Sequence, residues 1–572
     1  MMTTQWHAQR NEAVGQRGVV SAGHPDATAA GMAILEAGGN AFDAIVAAAF
    51  SCFVCEPANT GIGGYGRLAG FVAGENRMVS VDHYLRAPAA VREDMFEIDA
   101  DKPVKYYETP WTRGQKAERG HLSVGVPGAV PGLFETHRRW GRLPWQAVLE
   151  PAIAQADAGL KWDWTQLLYL CEQSDHLADP ALAPLARHLM PHGRLPHIPG
   201  QFGGGDTLDL SELAATLRLI AARGPAGLHE GEIAALIEQE VKAGGGILTA
   251  ADMAAYRPKV MVETPRRFAG LDYVSCFCPT TYELLNLLET FDLAAMGPES
   301  ADYRHVMAEC LAAAFSDTIR WYGDPDTDEA PVQALCSAAF AQKRARDIAM
   351  EHAMPRPVAP VDPRTLGIGE ADTPVHLDQA PWPPKLAGTT QVATVDGEGN
   401  MAALCTSISG GHGSLVYCPG TGVVLNNGMQ NFDPRPGRPN SLKPGKMPIF
   451  AAPVIVACRD GRPVWAGSGS GGYRIMTGVV HAFVNRAVFG MDLSAAMEAP
   501  KVHCQGRDTF VDETLPEAVK AELARRGHNL IEQRDHPGLN AFARVNAVSA
   551  DPASGELRGA AFPGWRGDAS AL

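Results

Sequence analysis

The sequence predicts a mixed α/β fold of the α+β kind, and three observations carry that expectation. Segments 128–260 and 301–353 repeat their apolar residues at helical spacing. From residue 389 onward the pattern changes to short β-branched runs broken by Gly and Asn turns. Near the N-terminus, the runs Leu68–Val72 and Met78–Val81 flank Gly74-Glu75-Asn76 as a β-hairpin would. At about 150 residues per domain, a chain of 572 residues suggests three or four domains.

Taken in order, Asp26 reads as an N-cap to an apolar helix, Ala27–Ala37, which stops at Gly38-Gly39. Asp43–Val54 reads as a second helix, apolar enough to be buried. Strand patterns follow the long helical segments at 391–395, 401–407, 422–425, 453–457 and 463–466. Helices are expected again at about 473–489 and 516–526. Eight prolines fall between Pro355 and Pro384: Pro355, Pro357, Pro360, Pro363, Pro374, Pro381, Pro383 and Pro384. Proline fixes φ and lacks an N–H, so segment 354–388 is expected to be extended and exposed. By composition it is a linker. A sharper reading makes it the segment that presents a cleavage site at Gly388-Thr389-Thr390.

Composition excludes several classes of function. Hydrophobic residues make up 46% and charged residues 20%, as in a soluble globular protein. Gly, at 60, and Pro, at 42, are enriched without reaching disorder levels. The net charge of −15 repels phosphate backbones, so no nucleic-acid partner is expected. No apolar run reaches the roughly 18 residues of a membrane span, Ala44–Val54 being the best candidate. The first residues, MMTTQWHAQRNEAVGQRG, lack the apolar region of a secretion signal. Eleven irregularly spaced cysteines fit reduced thiols, so a cytoplasmic place is expected. Cys52 and Cys55 form a CxxC inside an apolar run and read as core residues.

Other motifs are decoys. Gly61-Ile-Gly-Gly-Tyr-Gly66, with Asp82 downstream, matches a dinucleotide fingerprint, but a hairpin follows the glycines where a helix is required. Asp324, Asp326 and Asp328 alternate like a calcium loop, yet Pro325 intervenes and Glu329 stands at the required glycine. No H-E-x-x-H or G-x-S-x-G occurs, and the 18 histidines show no ligand spacing. No metal and no cofactor is expected. Gly467-Ser-Gly-Ser-Gly-Gly472 lacks the lysine of a phosphate loop and suits an oxyanion-binding turn of backbone N–H groups.

An ordered set of segments spans nearly the whole chain: Gly18-Val-Val-Ser-Ala-Gly-His-Pro25, Gly38-Gly-Asn-Ala-Phe-Asp-Ala44, Glu56-Pro-Ala-Asn-Thr-Gly-Ile-Gly-Gly64, Ser123-Val-Gly-Val-Pro-Gly128 with Pro151-Ala-Ile153, Trp321-Tyr-Gly-Asp-Pro325, Thr389-Thr-Gln-Val-Ala-Thr-Val-Asp396 with Gly399-Asn400, Gly422-Val-Val-Leu-Asn-Asn-Gly-Met429 and Gly469-Ser-Gly-Gly-Tyr-Arg474. In content and order this set resembles the gamma-glutamyltransferase family of N-terminal nucleophile hydrolases. The resemblance implies a four-layer αββα sandwich, with extra helices from the large subunit, made as one self-cutting precursor. It implies a large subunit 1–388, including the processing segment 354–388, and a small subunit 389–572, together one domain. The subunits would remain joined as an αβ heterodimer, in some relatives paired as (αβ)2. The expected partner is a small-molecule amide, and neither nucleic acid nor membrane.

By the same resemblance Thr389 is the nucleophile and Gly388–Thr389 the cleavage site. A threonine hydroxyl needs a nearby base, and a chain-terminal threonine carries one in its own α-amine, whose reference pKa is about 7.7–8.0. Gly388 suits the cut because it tolerates strain. Ser407 falls where the family has a second Thr bonded to the nucleophile, and Gly471 and Gly472 fall on its oxyanion hole.

The residues that grip a γ-glutamyl group differ. The family's Arg falls on Tyr84, with Arg86 two residues away; its Asn on Ser409; its Gln on Gly428; its Asp on Asn431; and its serine pair near Ile449-Phe450. The usual His after the Thr-Thr pair is Gln391. A buried carboxylate without its Arg costs several kcal/mol, so the expected substrate is a small amide other than γ-glutamyl, as in oxamate amidohydrolases or acylases. Arg86, Arg474 or His412 could relocate the anion contact. The alternatives are a glutathione hydrolase or gamma-glutamyltransferase with an altered pocket, and an uncleaved relative without enzymatic activity.

Overall fold

A computed structural model describes residues 11–102, 105, 109–200, 203–276, 278–327, 330–365, 387–449, 452–535 and 541–572. Two seven-stranded antiparallel sheets face each other, and helices cover both outer surfaces, giving the expected αββα layers. The first sheet runs in the order Asp568–Ala571, Gly18–Ala22, Ala387–Asp396, Met401–Gly410, Tyr65–Val72, Arg77–His83, Lys259–Val262. The second runs Ala13–Gly15, Leu557–Ala561, Arg544–Ala550, Arg462–Ser470, Ile455–Arg459, Leu271–Ser275, Arg266–Phe268. Both sheets combine strands from before and after residue 388. Gly18–Ala22, for example, lies between Ala387–Asp396 and Asp568–Ala571.

The period of two in the strands explains the layering. Val392, Ala402 and Leu404 face the helical layer, while Ala393, Val395, Ala403 and Cys405 face the opposite core. Helix Ala41–Cys55 lies on the first group, buried along its whole length. Asn40 and Asp43 close its N-terminus in a reciprocal capping box. Helix Arg474–Phe489 covers the second sheet, with Pro279–Leu288 and Ala301–Trp321 packed around it.

Several sequence expectations need correction. The first helix, Pro25–Glu36, is capped by His24, whose Nδ1 accepts from the Asp26 amide at 3.1 Å. Asp26 instead occupies the first turn, where the helix dipole favours an acid. Lys259–Val262 is a strand inside the segment expected to be helical. The run at 453–457 becomes a strand only from Ile455, beyond Pro453. Among the described residues after 500 there are six strands with no clear period in the sequence, one of them Arg544–Ala550, whose buried positions include polar Arg544 and Asn546. The hairpin stands as expected, Tyr65–Val72 against Arg77–His83. Pro355, Pro357, Pro360 and Pro363 lie outside regular helix and strand, but against the expectation of an exposed segment only Pro355 and Pro357 are exposed, Pro360 and Pro363 being buried; Pro374, Pro381, Pro383 and Pro384 lie outside the described residues.

Candidate active site

Thr389 and Ser407 face each other across neighbouring strands at one end of the first sheet. Thr389 Oγ1 lies 2.9 Å from Ser407 Oγ. Ser407 Oγ also lies 2.5 Å from the Gly388 carbonyl oxygen, to which only Ser407 can donate. Its one proton is thereby committed, so Thr389 is the donor in the Thr389–Ser407 bond. The Ser409 amide donates to the same Ser407 oxygen at 2.8 Å. A register shift between Gly388 and Thr389, with Ser409 at φ +76°, turns that amide inward.

Gly388 is required by space. A Cβ there would stand 2.0 Å from the Gly410 carbonyl oxygen. On the other face of the strand, Thr390 Oγ1 donates to Glu56 Oε2 at 2.6 Å, and Asn59 Nδ2 to Glu56 Oε1 at 2.9 Å. Gly23 permits this contact, since a Cβ at that position would stand 2.2 Å from Thr390 Oγ1. Gln391 Nε2 donates to Asn546 Oδ1 across the two sheets at 2.5 Å.

Gly471 and Gly472 follow strand Arg462–Ser470 directly. Their φ angles of +142° and +62° are backbone conformations that side chains disfavour. A Cβ on Gly471 would press within 2.9 Å of Ala543, and the space beside Gly472 is open. Ser470 accepts from Arg544 Nε at 2.8 Å, and Arg544 Nη2 donates to the Thr389 carbonyl at 3.3 Å.

Beyond Ser409 a second cluster forms. Asn431 Nδ2 donates to Tyr84 Oη at 3.0 Å and reaches Tyr65 Oη and Ser409 Oγ at 3.5 Å each. Tyr65 Oη and Ser409 Oγ share a short hydrogen bond. Burial pushes the Tyr65 phenol above its ordinary range, so it stays protonated. The structure thus gathers Tyr84, Ser409 and Asn431. Ile449 joins through its backbone: its amide donates to Asn440 Oδ1 at 2.8 Å, and Asn440 Nδ2 donates to the Asn431 carbonyl at 2.7 Å. Phe450 lies outside the described residues. At Gly428 a Cβ would overlap the Leu85 Cδ2 methyl, 1.8 Å away, so a side chain there requires Leu85 to move.

The cations considered as relocated anchors stand elsewhere. Arg86 Nη1 is committed to Asp324 at 2.9 Å, a carboxylate that also accepts from the Met447 amide. Arg474 donates to the Ala541 carbonyl and to Gln533 and lies over the Phe510 ring, inside the packing of the second helical layer. His412 is buried beside Tyr169, and burial lowers it to about 4, so it is neutral near pH 7.

Three residues of the site, Glu56, Tyr65 and Arg544, are not reached by sequence reasoning. Glu56 carries a signal, an acid closing a largely apolar helix, and Arg544 a fainter one, a lone charge in the run Ala541-Phe-Ala-Arg-Val545. Tyr65 lies within the glycine run Gly61–Gly66, whose resemblance to a dinucleotide fingerprint hides it.

The model of the gamma-glutamyltranspeptidase family matches residues 27–572. An Acylase ACY 1 proenzyme of Pseudomonas sp. (strain V22) is 35% identical over 566 residues, covering 98% of this chain and 94% of its own. A glutathione hydrolase proenzyme of Escherichia coli (strain K12) is 30% identical over 573 residues, covering 96% and 90%. Among solved structures, the cephalosporin acylase from Bacillus halodurans superposes with a TM-score of 0.85 at 26% identity, covering 100% of this chain and 99% of that one.

Proposed function

The chain belongs to the gamma-glutamyltranspeptidase family, and from that premise we propose that it is a self-processing N-terminal threonine amidohydrolase, acylase-like in its choice of substrate. One observation carries the proposal: Ser407 Oγ lies within hydrogen-bond reach of both Thr389 Oγ1 and the Gly388 oxygen. That is the geometry in which a hydroxyl can attack the peptide carbonyl that precedes it.

In the first reaction Thr389 Oγ1 adds to the Gly388 carbonyl carbon. Its proton passes to Ser407 as Ser407 gives its own to the carbonyl oxygen. The carbon–nitrogen bond breaks, the proton ends on the departing Thr389 nitrogen, and an ester remains. Water hydrolyses that ester to a Gly388 carboxylate and a free Thr389 amine, leaving fragments 1–388 and 389–572. The products stay together as an αβ unit because each contributes strands to both sheets.

In the second reaction the freed α-amine takes the Oγ1 proton, and Oγ1 adds to a substrate amide. The amides of Gly471 and Gly472 stabilise the oxyanion, and the leaving amine departs with the proton. Water then releases the acyl group.

The acyl site takes its chemistry from Tyr65, Tyr84, Ser409 and Asn431, all neutral hydrogen-bonding groups. A γ-glutamyl group brings an ammonium and a carboxylate. Neither finds an opposite charge in this cluster, and Arg86 is already paired. The proposed substrate is therefore a small amide with a neutral or differently charged acyl group, in keeping with the acylase relatives. No disulfide joins any of the eleven cysteines, which supports the proposed cytoplasmic place.

A denaturing gel with N-terminal sequencing tests the proposal. Two bands, the smaller beginning at Thr389, are expected, and Thr389→Ala should leave one. A panel of oxamate, glutaryl amides, glutathione and a γ-glutamyl anilide then sorts the substrate. Rapid turnover of the anilide would overturn the acylase-like reading in favour of a glutathione hydrolase.

A further inference from the structure

Arg544 joins the two halves of the proposed site. It is 2% exposed, on strand Arg544–Ala550. Nη2 donates to the Thr389 carbonyl and Nε to Ser470 Oγ, the residue just before Gly471-Gly472. Arg544 and Ser470 are also direct partners in the β ladder. The guanidinium lies 4.4 Å over the Trp565 ring, which holds it from one face. Nη1 has no hydrogen-bond partner among the described residues. With Glu56, Ser470, Asn546, Phe562 and Trp565, Arg544 lines a small cavity beside Thr390.

We propose that Arg544 is a positioning residue: it fixes Thr389 relative to the oxyanion loop, and its charge keeps the α-amine of the cut Thr389 in the neutral form a base requires. The proposal rests on the nucleophile reading above.

The geometric half follows from the two hydrogen bonds. A tether shared by the nucleophile's own residue and the residue before the oxyanion loop sets the distance on which attack depends. The electrostatic half follows from covalent geometry. The nitrogen and carbonyl oxygen of one residue are only about 3 Å apart, so the guanidinium stands within roughly 6 Å of the amine. A fixed like charge at that range disfavours the ammonium and lowers its pKa by about one unit.

The other groups facing this end do not cancel that effect. Glu56, closing helix Ala41–Cys55, accepts from the neutral donors Thr390 and Asn59, and the positive His24 beside it offsets its carboxylate. His24 stands near Glu56 and Cys55; burial opposes its charge, yet these neighbours raise it to about 9. Arg566, also near His24, is paired with Asp163. Tyr169 is buried and raised to about 12, and Tyr65 is also raised, so both phenols are neutral near pH 7. His412 is neutral as well.

The test uses the full chain with Arg544→Gln, Arg544→Lys and Ser470→Ala. Processing, melting temperature and the pH dependence of kcat/KM are measured on an amide the wild type turns over. In Arg544→Gln, kcat should fall tenfold or more with KM within twofold, and the acid limb should rise by about one pH unit. Arg544→Lys should restore the position of the acid limb and part of kcat. Ser470→Ala should lower kcat without moving the limb. If Arg544→Gln stays uncut, Arg544→Lys and Ser470→Ala decide, and unchanged kcat in both overturns the proposal. A rise in KM at constant kcat also overturns it, because it would make Arg544 a substrate anchor. Thr389→Ala separates the two readings: if that variant is cut and active, the nucleophile reading fails, whatever Arg544 does.

Discussion

The two ends of the proposed site are built differently. At the proposed cutting end, Thr389, Ser407 and Gly388 are fixed by backbone pairing between adjacent strands, and the Ser407 hydroxyl lies on the Gly388 carbonyl. At the acyl end, Tyr65 and Ser409 come from paired strands, and their side chains meet those of Tyr84 and Asn431, which lie outside that pairing. On the proposed reading, the contrast teaches that reaction and selectivity can be separated. A strand register preserves the geometry of attack whatever fills the pocket, and side chains beyond the register can exchange charge for neutral polarity without disturbing it.

The sharpest way to break this contrast is at the nucleophile. Thr389→Ala should leave the chain uncut on a denaturing gel and lower turnover by about 10⁴-fold or more, while pocket variants should still be cut. Gly388→Ala is expected to stop the cut as well, because its Cβ would stand 2.0 Å from the Gly410 oxygen. The gel would show intact chain over days, and rapid cleavage would count against the close packing of Gly388 on Gly410. Ser407→Ala should slow both processing and turnover by about a hundredfold, with Ser407→Thr near wild type. Time courses of processing, together with kcat, measure both.

A pH experiment asks whether the two ends loosen together. His412 flanks the cutting end and His83 abuts the pocket beside Tyr84. Burial lowers each to about 4. Their folded values lie below the unfolded 6.5, so the unfolded chain binds protons more readily. The stability they contribute is full above pH 6.5 and is lost as pH falls from 6.5 towards 4. At pH 5 each loses about 2 kcal/mol. A melting temperature that stays flat between pH 7 and 4.5 would contradict this. The smallest effect belongs to the pocket. Tyr84→Phe removes the acceptor of one Asn431 hydrogen bond, worth about 1 kcal/mol. It should change kcat/KM about fivefold while processing proceeds at the wild-type rate.

Much of the site is legible in the sequence because its residues are bound to motifs. Thr389, Ser407, Gly471 and Gly472 each sit in a run of small or β-branched residues whose type is dictated by a tight turn or a close approach, and the sequence records such constraints directly. Tyr84, Ser409 and Asn431 are legible as departures from a pattern, and the structure gathers all three. The cation nearest the nucleophile is not legible. Arg86 and Arg474 stand nearer to known motifs than Arg544, and only distances show that Asp324 holds the first and Ala541 and Gln533 the second.

The sequence by itself determined the mix of helix and strand, since the change from helical spacing to short β-branched runs is a local property of the chain, while the four layers followed from the resemblance. It singled out the candidate nucleophile only through resemblance to a family, because Thr389-Thr390 taken alone reads as the start of a strand. Tertiary structure alone decided which strands interleave and which charges neutralise one another. Gly18–Ala22 and Asp568–Ala571 become neighbours only by pairing across 546 residues or more, and Arg544 reaches Thr389 across 155. Such contacts are selected by the packing of two sheets, and a pattern with a period of two or 3.6 residues carries no record of them.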